Sequence, residues 1–550
     1  MAVALAAADT YVVVLALTDM MTGVGLGIDA LQKATPIISG FLLGYIAVLP
    51  LIGRLADLVA RQRILVACLA VFVVGSAVTA LAVELPVLVT GRVLQGVGGG
   101  GLVPATLALV ADLWPAGKRG VPLGVVGAVQ ELGSVLGPLL GAAVLALSGW
   151  RTIFWLNAGA GVVLGVAVVV AGGRPPSRPR LVPLVLGTLA AAVTALALAA
   201  PQRLASEVTL GLPFVPFGGS SSRLTTPIGV VALVLVLAWL AVSAPRWWAL
   251  LAGADLPGAL LLAVALGSVV LTFAASDPER EVVGPPGFAL LPIGLVALGL
   301  YLWRHRRATQ PLVARGVVRG RARYALLVSL FVGAALVSVV VDVPVLARLT
   351  LTSSETGAAL VLVRFLLAVP VGALLGGWSL RRLGDGVVSG SGLALSALGL
   401  FAMSRWGDGA LDHLSATVVL ALVGLGIGLA LAPVNNAALG AAPDDAHGVA
   451  SALVVVARMV GMVVGLALLT AIGLHRYYAT VAALPDASDT KALVAAGVVQ
   501  VQTVFTGAAV AAALGAVASL GLGLRRSHQV VSGVPATPAR SGSRPGTRDV

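Results

Sequence analysis

Long apolar runs alternate with short polar loops along almost the whole chain. Each run is about 20 residues, the length a helix needs to cross a hydrocarbon core of about 30 Å. The short alternating segments of a membrane barrel are missing. The pattern therefore predicts an all-α polytopic membrane protein. Six runs come first, beginning at Met1, near residue 36, near 64, near 85, around Glu131 and at Trp150. The first is short and runs to about Thr18. A middle region follows, with apolar runs at about 181–200, 228–244, 250–274 and 288–303. Between the first two of these lies a polar, Gly/Pro-rich stretch near 201–227, read as an external loop. Six more runs follow at about 324–346, 358–378, 387–403, 415–433, 448–478 and 493–524. The tail from Arg525 is rich in Ser, Pro and Arg and is expected to be disordered.

The expected organisation is a six-helix bundle over 1–172 and a linker with four helices over 173–320. A second six-helix bundle over 321–524 and a tail over 525–550 complete it. That makes about 16 spans, or about 14 if one linker pair fails to cross. Two halves of six helices suggest an internal duplication. The loop GGWSLRRLGDG of the second half holds the place that GRLADLVARQR holds in the first. The eleventh core helix, from Gly448 to about Ala483, contains no proline. Its ~35 residues make a rod of ~50 Å against a slab of ~30 Å. Tilt absorbs part of the excess. The remainder is expected to project outward past HRYY at 475–478, strong tilt alone being the alternative.

Composition agrees. The chain has 550 residues, 59% hydrophobic and 10% charged, with a mean hydropathy of +1.05. The net charge of +13 does not imply nucleic acid, because the basic residues sit in inter-helix loops and the tail. Arg54, Arg61, Arg63, Lys118, Arg119 and the segment WRHRRATQPLVARGVVRGRAR mark their loops as cytoplasmic. Both termini fall on that side, and the expected location is a bacterial inner membrane. The single cysteine, Cys68, excludes an internal disulfide. The five histidines are scattered, so no metal or cofactor is expected. The first run reads as a helix rather than a cleavable signal, and its missing basic flank points to a start upstream.

The stretch GAVQELGSVLGPLLG, residues 127–141, carries the most chemistry. Glu131 lies inside an apolar run, where a carboxylate is costly and faces a bundle interior or an aqueous path. Gly133, Gly137 and Gly141, four residues apart, make a smooth strip for close helix approach. Pro138 removes one helical hydrogen bond. Asp9, Glu131 and Arg458 lie roughly 9 to 13 residues from the starts of three helices, which puts each near the midplane at about 1.5 Å per residue. A buried carboxylate that gains and loses an arginine neighbour can load and release a proton. This points to proton coupling, with Glu131 first and Asp9 second. The alternative is a static ion-pair network. Arg92 is expected to face a central cavity, while Arg364 and Asp342 have no assigned role.

The loop GRLADLVARQR resembles a signature of the major facilitator superfamily, through Gly53, Leu55, Ala56, Asp57, Arg61 and Arg63. Leu58 and Ala60 depart from the usual arginine and glycine. Arg92, Gln95 and Gly96 match the fourth-helix signature, and Gly133, Gly137, Pro138 and Gly141 match the antiporter signature of the fifth helix. The extra helices resemble the linker of the fourteen-helix drug:proton antiporter branch. Its closing pair, GADLPGALLLAVALGS and LPIGLVALGLYLW, is the better match, so the preceding pair looks like an insertion. Within that branch, ADTYVVV, LLGYIAVLPLIGR, QELGSVLGP and HGVASALVVVARMVGM resemble the mycobacterial triacylglyceride exporters.

The resemblance implies export of an apolar, triacylglyceride-like lipid by proton-coupled alternating access, in company with a periplasmic lipid-carrying lipoprotein. It implies functional roles for Asp9, Glu131 and Arg458. Charge pairs and helix ends in a cytoplasmic loop can latch one conformation, so Gly53, Asp57, Arg61 and Arg63 are expected to form a cytoplasmic gate. A multidrug:proton antiporter, with an apolar small molecule as substrate, is the alternative. An enzyme would need a nucleophile with its base, or a metal site, and neither is visible. A sensor without transport is the remaining reading.

Overall fold

The computed structural model describes residues 1–27, 31–172, 181–201, 204, 211–217, 222–274, 285–352, 354–486 and 489–524. The tail, part of the expected external loop and part of the basic segment after residue 172 lie outside these. Among the described residues every element longer than three residues is an α-helix. The first six are α1 (Ala2–Gly23), α2 (Leu31–Leu58), α3 (Arg61–Leu81), α4 (Leu85–Leu113), α5 (Gly120–Leu147) and α6 (Trp150–Ala171). The linker contributes α7 (Leu181–Ala199), α8 (Pro227–Gly253), α9 (Leu256–Ala274) and α10 (Pro285–Arg307). The last group is α11 (Arg321–Thr350), α12 (Glu355–Leu366), α13 (Ala368–Ser379), α14 (Asp385–Met403), α15 (Leu414–Ala441), α16 (His447–Ala482) and α17 (Thr490–Ser519).

Among the described residues 15 helices are long and apolar enough to cross a membrane, or 16 if the bent α1 is one span. Its arms, Ala2–Thr10 and Leu15–Gly23, meet at 73°. Helices α12 and α13 share one apolar stretch that breaks at Leu367. Pro370 explains the break, since a proline ring clashes with the carbonyl four residues earlier, here that of Leu366. Helix α8 runs on through Pro245 and the tryptophan pair to Gly253. The apolar run read as ending near 244 is thus nine residues longer as a helix, and the next begins only at Leu256.

Helices α1–α6 pack on one another, and so do α11–α17. The two groups meet along two seams, α2 and α4 against α16, and α5 against α13 and α15. The apolar seam joins Phe41, Tyr45 and Leu107 of the first group to Leu439, Val455 and Val456 of the second. The linker forms two hairpins. The pair α9–α10 docks on α2 and α16, with Val270 entering that seam, while α7 and α8 pack mainly on each other at the periphery. The closing pair, the one with the stronger resemblance, is thus the more deeply built into the body, while the other pair touches it through Leu198 and through the backbone N–H of Arg223, which donates to Glu84 Oε1.

Helix α16 has 36 residues, a rod of ~54 Å at ~1.5 Å per residue. Helix α17 has 30.

The glycine strip of α5 meets α1. A Cβ at Gly133 would strike the backbone of Ala4, one at Gly137 the backbone of Ala8, and one at Gly141 the Val12 side chain. These contacts hold Asp9 at a fixed depth. Gly137→Val should therefore overpack the α1–α5 contact and destabilise the protein by about 1–3 kcal/mol. Gly159→Ala, where nothing lies within 4 Å, should leave thermal unfolding in detergent unchanged. Equal melting of the two variants would remove the strip's role.

Candidate functional site

Three sets of polar side chains are buried in the bundle, and each joins different helices. The first is centred on Asp9, which is 0% exposed, and Arg92, which is 1% exposed. Arg92 Nη1 donates to Asp9 Oδ2 at 2.7 Å and to Gln95 Oε1 at 2.8 Å. Asn157 Nδ2 donates to Asp9 Oδ1 at 2.6 Å, and Gln95 Nε2 to Ser76 Oγ at 2.8 Å. The Arg92 guanidinium also sits 4.5 Å over the Phe41 ring. Helices α1, α2, α3, α4 and α6 are thus tied together by one charge pair and its ligands. Arg92 was expected at the central cavity, but the structure puts it inside the first helix group, because Asp9 is the nearest group able to compensate its charge.

The second set crosses between the groups. Arg458 Nη1 of α16 donates to Glu131 Oε1 of α5 at 3.4 Å. Both side chains are largely buried. Among the ion pairs of the described residues this one joins the two groups. Glu131 and the glycine strip lie on different faces of α5, so one helix holds α1 with one side and offers a carboxylate to α16 with the other. Arg458 also lines a small gap between the groups with Gln130 and Asn435. The Oδ1 atom of Asn435 is buried there without a hydrogen-bond partner. Asp9, Glu131 and Arg458 therefore do not form one trio. Glu131 and Arg458 meet, while Asp9 is engaged by Arg92.

The third set lies where the basic loops gather, here termed the basic end. Asp57, at the end of α2, accepts from the backbone N–H of Gly448 at 2.6 Å and of Val449 at 3.0 Å. These are free amides of the first turn of α16, where the helix dipole also favours a negative charge. Arg61 lies 3.8 Å from Asp57, pairs with Asp112, and donates to the Ala108 carbonyl at 2.8 Å. Gly53 and Gly448 approach so closely that a Cβ on either would strike the other's carbonyl. Arg63 has no side-chain contact to this cluster among the described residues. The second-half counterpart is another glycine contact, Gly120 and Gly124 of α5 on Gly377 and Ala373 of α13. Both seams are closed at the basic end.

The linker reinforces this closure. Asp255, in the turn before α9, pairs with Arg304 at 2.7 Å and accepts from Leu312 N at 3.1 Å. Leu312, Val313 and Val317 then pack on Ala446, Val449 and Ala450, beside the amides that hold Asp57. Sequence reasoning missed Asp255 and Asn157. A lone polar residue in an apolar run was the available signal, since such a group must find a partner when buried.

Arg364 donates to Thr417 Oγ1 at 3.0 Å and joins α12 to α15. Asp342 is buried with Oδ2 unpartnered. Pro138 lies inside α5. No group of three or more His, Cys, Asp or Glu side chains able to hold a metal occurs among the described residues.

The Asp9–Arg92 set makes a direct prediction. Asp9→Ala or Arg92→Ala leaves an uncompensated buried charge and should cost about 3–5 kcal/mol. The double replacement should cost less than the sum of the two single losses, because the residues share one interaction. Thermal unfolding in detergent reads both effects, and additive losses would contradict the pairing.

Residues 1–185 match the family model for the Major Facilitator Superfamily. A triacylglyceride transporter of Mycobacteroides abscessus is 37% identical over 87% of this chain and 82% of its own length. One from Mycolicibacterium smegmatis is 37% identical over 87% of this chain and 75% of its own. One from Mycobacterium tuberculosis H37Rv is 36% identical over 96% and 94%. Among solved structures, the human organic anion transporter MFSD10 aligns with a TM-score of 0.49 at 15% identity, over 94% of this chain and 97% of that chain. The near full-length sequence relatives carry the assignment. The chain belongs to the major facilitator superfamily, as a multi-pass membrane transporter and not an enzyme, in the same family as these mycobacterial proteins.

Proposed function

We propose that the protein exports an apolar lipid of the triacylglyceride class from the inner membrane by proton-coupled alternating access. The observation that carries this reading is the Glu131–Arg458 contact of 3.4 Å between the two helix groups. In the proposal the basic end is cytoplasmic, which agrees with the positive-inside bias of its loops. Two bundles, 1–172 and 321–524, rock against each other, with 173–320 as linker. The substrate class comes from the names of the relatives.

The proposed cycle follows from charge and burial. With Glu131 ionised, its attraction to Arg458 holds α5 to α16 and supports the closed basic end. A proton taken up by Glu131 removes that attraction, and the seam can separate. The charge left on Arg458 then has to be met by water or by new partners, which Gln130 and the unpartnered oxygen of Asn435 are placed to supply. While the basic end is open, water from that side takes the proton from Glu131, and the restored carboxylate charge draws Arg458 back and closes the seam. Asp57 acts as a latch, because its two backbone donors lie on α16. Gly53, Arg61 and Arg63 belong to that gate. Asp9 takes second place in coupling, since it releases a proton acceptor site only if Arg92, Gln95 and Asn157 rearrange. The length of α16 and α17 supports delivery to an acceptor beyond the bilayer, and a periplasmic lipid-carrying lipoprotein is the acceptor the proposal names.

The test uses proteoliposomes with an imposed pH gradient. Loss of a labelled triacylglyceride to an external acceptor is followed beside ethidium transport. Lipid loss should require the gradient and should fall to the level of empty liposomes in Glu131→Gln, with the variant melting like the native protein. Ethidium transport without lipid movement would make the protein a multidrug:proton antiporter instead.

A further inference from the structure

A groove of about 870 Å³ opens at the basic end, below the contact of α5 with α13. It is distinct from the Glu131–Arg458 contact, none of whose residues lines it. One wall comes from α4, α5 and the loop between them, with Val110, Trp114, Lys118 and Val121. The other comes from α11, α13, α14, α15 and the loop after α13, with Leu380, Arg381 and Leu383. The groove is therefore shared by both helix groups. Its walls are largely apolar, and Trp114 and Leu383 remain 39% and 46% exposed.

The charges in the groove do not balance. Asp385 is already satisfied, by Arg321 and by Asn436 Nδ2 at 2.7 Å. Arg119 turns away and donates to the carbonyls of Trp114 at 2.9 Å and Ala111 at 2.7 Å. Lys118 and Arg381 remain, and neither side chain has an ion pair or hydrogen bond to the described residues. Two cations without partners among the described residues, over an apolar trough at the end where the basic loops gather, match a molecule with a negative head and an acyl body. Basic pockets between membrane helices on the cytoplasmic side recognise anionic lipid headgroups in this way.

We propose that this groove binds an anionic phospholipid, its phosphate held by Lys118 and Arg381 and an acyl chain lying along Trp114, Val121 and Leu380. Because the occupant touches both groups, it stabilises the form closed at the basic end and must loosen when that end opens. The placement in the inner leaflet rests on the orientation proposed above. The binding itself does not, and it is independent of the transported substrate.

The experiment uses the full-length protein in detergent, titrated with brominated phosphatidylglycerol or brominated phosphatidylcholine while tryptophan fluorescence is read. Brominated phosphatidylglycerol should quench saturably, and Trp114→Phe should remove that component. In Lys118→Gln/Arg381→Gln the apparent affinity should fall by about tenfold, and Lys118→Arg/Arg381→Lys should restore it. If the neutral double variant melts early, added salt serves instead, and it should weaken quenching of the unmodified protein. Equal quenching by the two lipids would overturn the proposal, as would quenching that ignores both the variants and salt. Displacement by inorganic phosphate at equal strength would assign the groove to a soluble anion and overturn the lipid.

Discussion

A charge in hydrocarbon has to be met by another charge or by several hydrogen bonds, and that requirement organises this bundle. Asp9 and Arg92 are 83 residues apart in sequence and bring α1 and α4 together. Asn157, Gln95 and Ser76 complete the set, so α3 and α6 are drawn to the same point. Such a pair is worth little as net stability, yet losing one partner is costly, so it fixes which arrangement of helices is allowed. Glu131 and Arg458 obey the same rule with a different outcome. Their contact has fewer supporting groups and spans two bodies. It is therefore the charge pair that the proposed cycle breaks while each body stays intact.

Small residues make these contacts reachable. Without lipid-excluding hydrophobic force between helices, close approach comes from glycine. The strip on α5 lets α1 come near enough for Asp9 to sit opposite Arg92. The Gly53–Gly448 approach brings Asp57 to the first amides of α16. The two halves use related loops differently. The first ends α2 with an acid that caps a helix of the other half. The second carries Arg381 and Arg382 in the corresponding loop, where a cation cannot cap a helix start. The α5–α13 seam is closed by glycine contacts and apolar side chains such as Ala128, Val369 and Ala373, and a groove lined by Lys118 and Arg381 remains beneath it.

Much of this was legible in the sequence. The helix number followed from run length, because a spanning helix leaves a contiguous apolar signature. The length of α16 followed from the absence of a helix breaker after Gly448, and GRLADLVARQR singled out the loop whose Asp57 meets α16. Other features were not legible. A run length cannot show the bend of α1 or a break such as that at Leu367, which keeps its apolar character throughout. Nor could the pattern decide which arginine each carboxylate meets. Residue spacing reads Asp9, Glu131 and Arg458 as similar in depth, but depth fixes only one coordinate, and rotation about each helix axis decides the partner. Helix α8 outran its apolar reading for a similar reason, since a proline and an arginine in 241–250 end hydropathy before they end the helix.

In the proposed cycle, proton uptake at Glu131 frees the two helix groups at the basic end. The most direct measurement is a distance between them as a function of pH. Spin labels at Leu58→Cys and Leu383→Cys, in a Cys68→Ala background in nanodiscs, report it by double electron–electron resonance. The account predicts a short distance at high pH and a growing long-distance population as pH falls. Glu131→Gln should show the long-distance population at every pH. A pH-driven shift that persists unchanged in Glu131→Gln would place the proton elsewhere and contradict the account.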